Sequence, residues 1–190
     1  MLWFTSDTHF GHNQMIIYDH RPFTTVEQMD ETIIETWNKY VRPNDEVWHM
    51  GDFLMRAAKP VEYYVNRLNG RIHLVLGNHD DAKKGAKYYP DLFESVQEYK
   101  YLRFDNVKIS MCHYSFRTWR GCHRGSWHLH GHSHGGLPNF GRQVDVGIMN
   151  HGWAPVSFEA LRIWMNSRPL TPHHGEVRCQ SQTANENPTQ

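Results

Sequence analysis

Residues 72–80 read IHLVLGNHD, an apolar run that ends in a glycine, an amide, an imidazole and a carboxylate. The run 72–76 has the length and the apolar side chains of a buried β-strand. Gly77 and Asn78 suit a sharp turn after that strand, because both residue types accept backbone angles that others resist. A turn does not explain His79 and Asp80. They become informative if other predicted strands end in the same kind of polar cluster.

Four further apolar runs do end in this way. Strand-like segments at residues 2–5, 46–50, 107–112 and 126–130 are each followed within two residues by aspartate or histidine. Carboxylates, imidazoles and amides are side chains that bind divalent metal ions. Together with the opening run, the five segments deliver the candidate ligands Asp7, His9, Asp52, Asn78, His113, His132 and His134.

Two amphipathic helices are predicted between the first three strands. Thr24 and Glu27 fit a capping box, and apolar residues then recur at three- and four-residue steps over residues 25–41. Pro60 suits the first turn of a second helix, which Gly70 ends. The order strand, helix, strand, helix, strand predicts a parallel sheet with right-handed crossovers. The carboxyl ends of such strands share one edge, where ligands bind, so distant polar residues can meet there.

The second half of the chain is predicted to be more antiparallel. Residues 99–104 and 107–112 flank Asp105 and Asn106, a turn-type pair that predicts a hairpin. Residues 126–130, 143–148 and 156–164 complete the ordered part. We expect one domain over residues 1–166 and a flexible tail over 167–190, because the tail has few large apolar residues.

The number of candidate ligands exceeds what one tetrahedral ion needs, and it suits two adjacent ions if one carboxylate bridges them. The i, i+2 spacing of Asp7 and His9, and of His132 and His134, would let each pair point the same way from extended backbone. Two divalent cations held by two carboxylates keep a charge of about +2, which favours an anionic substrate. Such a pair can clamp phosphoryl oxygens and supply hydroxide from a bound water, so the set favours phosphate-ester hydrolysis.

The composition of the chain bears on its binding partners and on its cellular compartment. Twenty basic residues balance twenty acidic ones and the pI is about 7.3, so no global field attracts nucleic acid or an anionic membrane. The three cysteines have no CxxC spacing, which argues against a disulfide framework or a thiolate zinc site and favours a reducing cytosol. The apolar N-terminal run is too short for a signal peptide or a membrane span. We therefore expect a cytoplasmic protein.

The order D-x-H, GD, GNHD, H and GHSH, over residues 7–134, resembles the five-motif signature of calcineurin-like metallophosphoesterases. DTHFGH at 7–12, RPF at 21–23, CHYS at 112–115 and HLHGHSHG at 128–135 further resemble a branch of small bacterial and bacteriophage members. The resemblance implies an α/β fold, a four-layer α/β/β/α sandwich of two mixed sheets. One departure matters: after Gly51 and Asp52 the chain continues FLM, where protein serine/threonine phosphatases have GDxVDRG. Phosphoprotein substrates are therefore disfavoured.

The same resemblance assigns roles to residues. It implies that one ion is held by Asp7, His9, Asp52 and His134, and the other by Asp52, Asn78, His113 and His132. Asp52 is then the bridge. His79 would contact the phosphate and protonate the leaving oxygen, while Asp80 would orient the His79 ring.

Four further residues are candidates for substrate binding, and each has a simpler explanation. His12 is equally compatible with a capped loop, and Arg21 with a structural salt bridge. Arg117 and Arg120 could clamp a phosphate, but a solvated loop around a packed tryptophan explains them too. His128 and His130 fit a packed or ligand-supporting role better than metal binding.

The sequence thus favours a dinuclear metal-dependent phosphoesterase with a phosphodiester or nucleotide-type substrate, including one derived from nucleic acid. A phosphomonoesterase acting on small metabolites or nucleotides, a non-catalytic scaffold of the same fold and a zinc-stabilised structural module remain as alternatives. Manganese is the first choice for both ions, and iron, zinc or nickel would also fit these oxygen and nitrogen ligands. We expect no membrane association and no obligatory protein partner.

Overall fold

The computed structural model describes residues 1–80 and 91–171, which form two β-sheets and four α-helices. The strands of the first sheet are β1 (Leu2–Thr5), β2 (Glu46–His49), β3 (Arg71–Val75), β4 (Ser95–Gln97) and β9 (Val156–Ser157). They lie in the order β4, β3, β2, β1, β9. The pairings of β1 with β2 and of β2 with β3 are parallel, as predicted; β3 also pairs in parallel with β4, and β9 pairs antiparallel with β1. Strand β4 was not predicted, because it lies in a stretch of polar sequence.

The second sheet contains β5 (Tyr99–Phe104), β6 (Val107–Cys112), β7 (Trp127–His130) and β8 (Gln143–Asp145), in that order. The predicted hairpin of β5 and β6 is confirmed. Its turn residues Asp105 and Asn106 both have positive φ, as the tight hairpin turns require. The second half is more antiparallel than the first, as expected, through β5 with β6 and β9 with β1, although β6 with β7 and β7 with β8 pair in parallel.

The helices are α1 (Asn13–Tyr18), α2 (Val26–Tyr40), α3 (Val61–Val65) and α4 (Phe158–Asn166). Helix α2 is capped by Thr25, whose hydroxyl accepts the N–H of Gln28 at 3.1 Å. The capping pair therefore lies one residue later than Thr24 and Glu27. Helices α1 and α4 were not predicted as helices, because α1 is short and α4 follows directly from a strand. None of the described helices is long and apolar enough to cross a membrane.

Two apolar cores hold the layers together. The first packs α2 and α3 against one face of the first sheet, with Ile33, Trp37, Val47 and Leu74 at its centre. The second lies between the two sheets and joins Phe4 and Met50 to Met111 and Leu129. Helix α4 closes this second core with Phe158, Leu161 and Met165. The prediction of two mixed sheets packed face to face is confirmed.

The outer face of the second sheet is covered by residues 114–126, which contain a single 3-10 turn, Cys122–Arg124. Phe116 stacks on His128 of β7 with ring centroids 4.7 Å apart, and its backbone N–H donates to His128 Nε2 at 3.0 Å. A loop therefore takes the place where the four-layer prediction expects a helix. Residues 172–190 of the predicted tail lie outside the described residues, so the boundary at residue 166 stays a prediction.

Candidate metal centre

The candidate ligands from both sheets converge on one edge of the molecule. Asp7, His9 and His134 each offer one ligand atom, and these atoms lie within 4.8 Å of one another. We call them the Asp7 group. Asp52, His113 and His132 form a second set by the same measure, which we call the Asp52 group. The structure therefore brings together residues that are up to 127 positions apart in the sequence, from Asp7 to His134.

Asp52 belongs to the Asp52 group but also faces the Asp7 group. Its Oδ2 atom is 3.6 Å from His9 Nε2 and 3.5 Å from His113 Nε2, so one oxygen faces a ligand of each group. Asn78 belongs with the Asp52 group, because its Oδ1 atom lies 3.0 Å from His113 Nε2. This is the arrangement that a carboxylate shared by two neighbouring cations needs.

The backbone at the ligands is left-handed rather than extended. The five ligands concerned have φ between 48° and 65°, and they are Asp7, His9, Asp52, His132 and His134. The expectation that the i, i+2 pairs lie on extended backbone is therefore wrong. Residues other than glycine rarely adopt positive φ, and each instance costs of the order of 1–3 kcal/mol. Such strain persists where the surroundings enforce it, and here it aims the side chains at one point.

Backbone hydrogen bonds enforce this geometry. The amides of Asp7 and His9 donate to the carbonyls of Gly51 and Asp52 at 2.9 and 3.0 Å, which ties the first ligand loop to the second. The amide of His132 donates to both carboxylate oxygens of Asp7, at 3.1 and 3.2 Å. The ligand loops of both sheets thus hold one another in place.

Two glycines allow the close approach of these loops. A Cβ atom on Gly77 would lie 2.3 Å from Asp52 Oδ1 and 2.6 Å from the Asp52 amide nitrogen. A Cβ atom on Gly131 would lie 2.4 Å from Asp7 Oδ2. Distances below 3 Å require the neighbouring atoms to move, so any side chain at either glycine would displace the carboxylate of a candidate ligand.

Asp19 supports the Asp7 group, and no sequence motif points to it. Its Oδ2 atom lies 2.6 Å from His134 Nδ1 and accepts hydrogen bonds from Arg21 Nε and Nη2 at 3.2 and 3.1 Å. Because Nδ1 faces a carboxylate, Nε2 of His134 is the nitrogen presented to Asp7, 3.5 Å away. Burial alone would lower the pKa of His134, but the Asp19 hydrogen bond and the charges of Asp7 and Asp19 outweigh it and raise the pKa.

Asp145 supports the loop that carries His132 and His134. Its Oδ2 atom accepts hydrogen bonds from the Ser133 hydroxyl at 2.6 Å and from the Gly135 amide at 2.9 Å. Its Oδ1 atom accepts the Gly147 amide at 2.7 Å. A lone aspartate at the end of β8 carries no recognisable pattern, which is why sequence reasoning missed it.

Asp80 faces backbone amides rather than the ring of His79. Its carboxylate accepts the amides of Asp52 at 2.6 Å, Gly77 at 2.9 Å and Phe53 at 3.0 Å. The expected ring-orienting contact is therefore replaced by a clamp that joins the Asp52 loop to the loop after β3. Burial raises the pKa of Asp80, against the opposing effect of these three hydrogen bonds.

His79 and His12 lie beside the ligands. The His79 side chain is 30% exposed, its Nε2 atom is 3.8 Å from Asp52 Oδ2, and its backbone amide donates to Asp52 Oδ1 at 2.9 Å. The His12 ring is 5.7 Å from the ring of His9, between centroids, and His12 occupies the N-cap position of the short helix α1 without a capping hydrogen bond from its side chain. Both imidazoles are thus near enough to meet a substrate at this edge.

The arginine candidates are engaged elsewhere. The Arg21 side chain is fully buried, pairs with Asp19, and donates to the carbonyls of Asp7 and Thr8 at 2.9 and 3.0 Å. These contacts favour the structural salt bridge over a phosphate contact. Arg117 lies over the ring of Phe140 at 5.3 Å and Arg120 over the ring of Tyr101 at 4.6 Å. Both stay predictions as substrate-binding residues.

His128 and His130 fit the packed interpretation. Both are buried, and His128 Nδ1 lies 3.1 Å from the carbonyl oxygen of Ser110. Burial lowers the pKa of His128 to about 4, so the ring is neutral and its Nε2 can accept the amide of Phe116. The His128 ring holds the 114–126 segment against the second sheet, and the His130 ring stacks on His128.

The chemistry of the donor set fits divalent cations. Both ring nitrogens of His9 are buried without a hydrogen-bond partner among the described residues. Burial raises the pKa of Asp7 to about 8 and lowers that of His113 to about 4. A buried carboxylate beside a histidine ring whose nitrogens have no hydrogen-bond partner is stabilised by a bound cation.

Comparisons with known proteins agree with this geometry. The family model for the calcineurin-like phosphoesterase superfamily domain matches residues 1–153. An uncharacterised protein of Methanocaldococcus jannaschii is 33% identical over 169 residues, covering 84% of this chain and 88% of its own length. The gene 66 protein of Mycobacterium phage L5 is 28% identical over 177 residues, covering 77% of this chain and 85% of its own.

Among solved structures, a protein of unknown function from Aquifex aeolicus superposes with a TM-score of 0.67. It is 24% identical in sequence and the match covers 86% of this chain and 98% of that one, which shows a shared fold. The family model covers most of the chain and includes all seven candidate ligands. The chain therefore belongs to the calcineurin-like phosphoesterase superfamily.

Proposed function

We propose that this protein is a dinuclear metal-dependent phosphoesterase that hydrolyses phosphodiester or nucleotide-type substrates. The observation that carries the proposal is the position of Asp52, whose Oδ2 atom lies 3.6 Å from His9 Nε2 and 3.5 Å from His113 Nε2. A single carboxylate oxygen between two ligand groups is what a pair of bridged cations requires.

In this proposal the Asp7 group and Asp52 hold one cation, while the Asp52 group and Asn78 hold the other. When bound, the two cations would polarise the phosphoryl group and lower the pKa of a water towards about 7, so that it can attack phosphorus. With two carboxylates against two divalent ions, the centre keeps a charge of about +2 and attracts an anionic ester. Manganese remains our first choice, since the donors are oxygen and nitrogen atoms without a thiolate.

His79 is the group that we assign to the leaving oxygen. Its ring is partly exposed above Asp52, while its backbone amide is fixed by Asp52 Oδ1, so the imidazole faces the open side of the centre. A protonated imidazole in this place can donate its proton as the ester bond breaks. Asp80 contributes by holding the backbone of both loops rather than by touching the ring.

The preference for a diester rests on charge. A diester carries one negative charge, and a monoester near neutral pH carries up to about two, because the second phosphate pKa is about 6. Arg21 is committed to Asp19 and to two backbone carbonyls, which removes it as a partner for the second charge. We also place the protein in the cytoplasm, where the free thiols Cys112 and Cys122 would stay reduced.

The test compares two chromogenic esters with manganese supplied. We expect bis-p-nitrophenyl phosphate to be hydrolysed with a higher kcat/KM than p-nitrophenyl phosphate. Activity on the monoester alone would reject the diester preference and favour the phosphomonoesterase. If neither ester turns over with manganese, iron, zinc or nickel, the non-catalytic scaffold is the better description.

A further inference from the structure

A cavity of about 660 Å³ opens beside the metal centre. Gly77 and Asn78 form the wall that it shares with the centre. Tyr114 follows the ligand His113 directly, and its ring centroid is 4.8 Å from that of His132. A molecule in this cavity would thus lie next to an ester held at the ligands. The described lining residues are Leu76, Gly77, Asn78, Glu98, Tyr99, Cys112 and Tyr114.

The lining combines flat apolar surfaces with one carboxylate. Tyr99 and Tyr114 are 41% and 44% exposed, which is a large exposed fraction for aromatic side chains beside a cleft. Aromatic faces of this kind stack on nucleobases. Glu98 is the one charged residue among the described lining residues, and no lysine or arginine accompanies it there. The described lining residues therefore suit an uncharged planar group that donates hydrogen bonds.

We propose that this cavity, which we call the base pocket, binds the guanine base of a nucleoside phosphate ester whose phosphorus lies at the metal centre. The inference deepens the proposed function and rests on it. A carboxylate has two acceptor oxygens, and guanine presents two adjacent donors, N1–H and the N2 amino group, on one edge. Adenine, cytosine and uracil each place an acceptor beside their donor, and that acceptor would face the second oxygen of Glu98.

The size of the cavity favours a nucleoside over a small cation as the ligand. Aromatic rings and a carboxylate also suit a quaternary ammonium group such as choline. A trimethylammonium group would leave most of a 660 Å³ cavity empty. A purine nucleoside fills it better, within the usual range of about 300–1,000 Å³ for ligand pockets.

The first experiment needs neither metal nor catalysis. NMR titrations of the metal-free protein with guanosine, adenosine, uridine and choline measure binding to the base pocket alone. We expect guanosine to bind about tenfold or more tightly than uridine, as two charge-assisted hydrogen bonds allow. Glu98→Gln should abolish this difference. The matched control Glu94→Gln changes an exposed glutamate at the opposite end of β4 and should retain it.

A second variant separates stacking from base selection. Tyr114→Leu should weaken the binding of guanosine and of uridine by similar factors, because stacking depends little on the identity of the base. Equal affinities for guanosine and uridine in the parent protein, or tighter binding of choline than of guanosine, would overturn the proposal. So would a guanosine preference that survives Glu98→Gln.

Kinetics distinguish failure of this inference from failure of the proposed function. With manganese, we compare kcat/KM for the p-nitrophenyl esters of GMP and UMP with that for bis-p-nitrophenyl phosphate. Hydrolysis of all three without a preference for the GMP ester would refute the base pocket and leave the phosphoesterase intact. A guanosine preference in binding with no hydrolysis of any ester would refute the proposed function instead.

Discussion

Replacing Asp19 by asparagine or alanine should weaken one of the two proposed metal sites and spare the other. Asp19 contacts His134 of the Asp7 group, and its second partner is Arg21. Changes to residues that orient a metal-binding histidine commonly cost about 10–100-fold in metal affinity. Asparagine keeps one acceptor for His134 Nδ1, so Asp19→Asn should lower the metal affinity about tenfold, and Asp19→Ala should lower it about a hundredfold. These factors correspond to about 1.4 and 2.7 kcal/mol.

The same change should lower the stability of the metal-free protein. The Arg21 side chain is fully buried, and Asp19 provides its carboxylate partner. Hydrogen bonds to charged groups contribute about 1.5–3 kcal/mol. For a chain of this length, each kcal/mol shifts Tm by about 2–4 °C, so Asp19→Ala should melt roughly 3–12 °C below the parent.

Isothermal titration with Mn²⁺ is the assay, since it resolves two binding steps and their affinities. Asp105→Asn is the matched control, because Asp105 is an exposed aspartate in the β-hairpin turn, paired with Arg162. The control should bind manganese like the parent. Unchanged affinity at both sites in a folded Asp19→Ala protein would refute the role of Asp19, and an equal loss at both sites would refute its restriction to the Asp7 group.

Three further predictions concern two residues of the centre and Asp30 of helix α2, whose carboxylate accepts the Gly11 amide and the Tyr64 hydroxyl, both at 3.0 Å. His79→Ala should lower kcat by about 10²–10⁴ while the manganese content per chain stays the same; the loss should be larger for an alkyl leaving group than for p-nitrophenol, and unchanged hydrolysis of both would remove His79 from the reaction. Gly77→Ala should abolish hydrolysis and weaken manganese binding, because the added Cβ would lie 2.3 Å from Asp52 Oδ1; normal titration of this variant would show that the loops tolerate displacement. Burial raises the pKa of Asp30 from 3.8 to about 6, so its contribution to the stability of the metal-free protein is present below pH 4 and is lost as pH rises through about 6. In urea unfolding, the free energy of unfolding of the parent should fall by up to about 3 kcal/mol between pH 4 and pH 7 relative to that of Asp30→Asn. Parallel pH profiles of the two proteins would contradict this prediction.

The convergence of the candidate ligands could be predicted from the sequence, because their residue types and their positions after strands both pointed to one site. Five of the predicted strands are followed by a residue type that binds metal ions, and the shared carboxyl edge of parallel strands made convergence a geometric expectation. The family resemblance is confirmed, and the Asp7 and Asp52 groups contain six of the seven residues singled out. Asn78 reaches the Asp52 group through His113.

The backbone of the site could not be predicted in the same way. Left-handed φ at Asp7, His9 and Asp52 is enforced by hydrogen bonds between loops that are distant in sequence. The local sequence offers only the slight tolerance of aspartate and histidine for this region. The direction of Asp80 was missed for the same reason, since its amide partners belong to two different loops.

Residues that support the candidate ligands but belong to no motif could not be predicted from the sequence either. Asp19 and Asp145 are single aspartates in ordinary contexts, and only the folded chain places them beside the ligand loops. The short elements α1 and β4 carry too few residues for a periodic pattern. Arg21 shows the opposite case: its structural salt bridge was foreseen as the simpler alternative, and the contact with Asp19 favours it.

The account depends on two cations that share Asp52. Crystals grown with manganese, measured at its absorption edge, would locate each ion in an anomalous difference map. We predict two peaks per chain, about 3.5–4 Å apart, one on each side of the Asp52 carboxylate. A single peak at saturating manganese, or two peaks of which neither lies beside Asp52, would contradict the central claim.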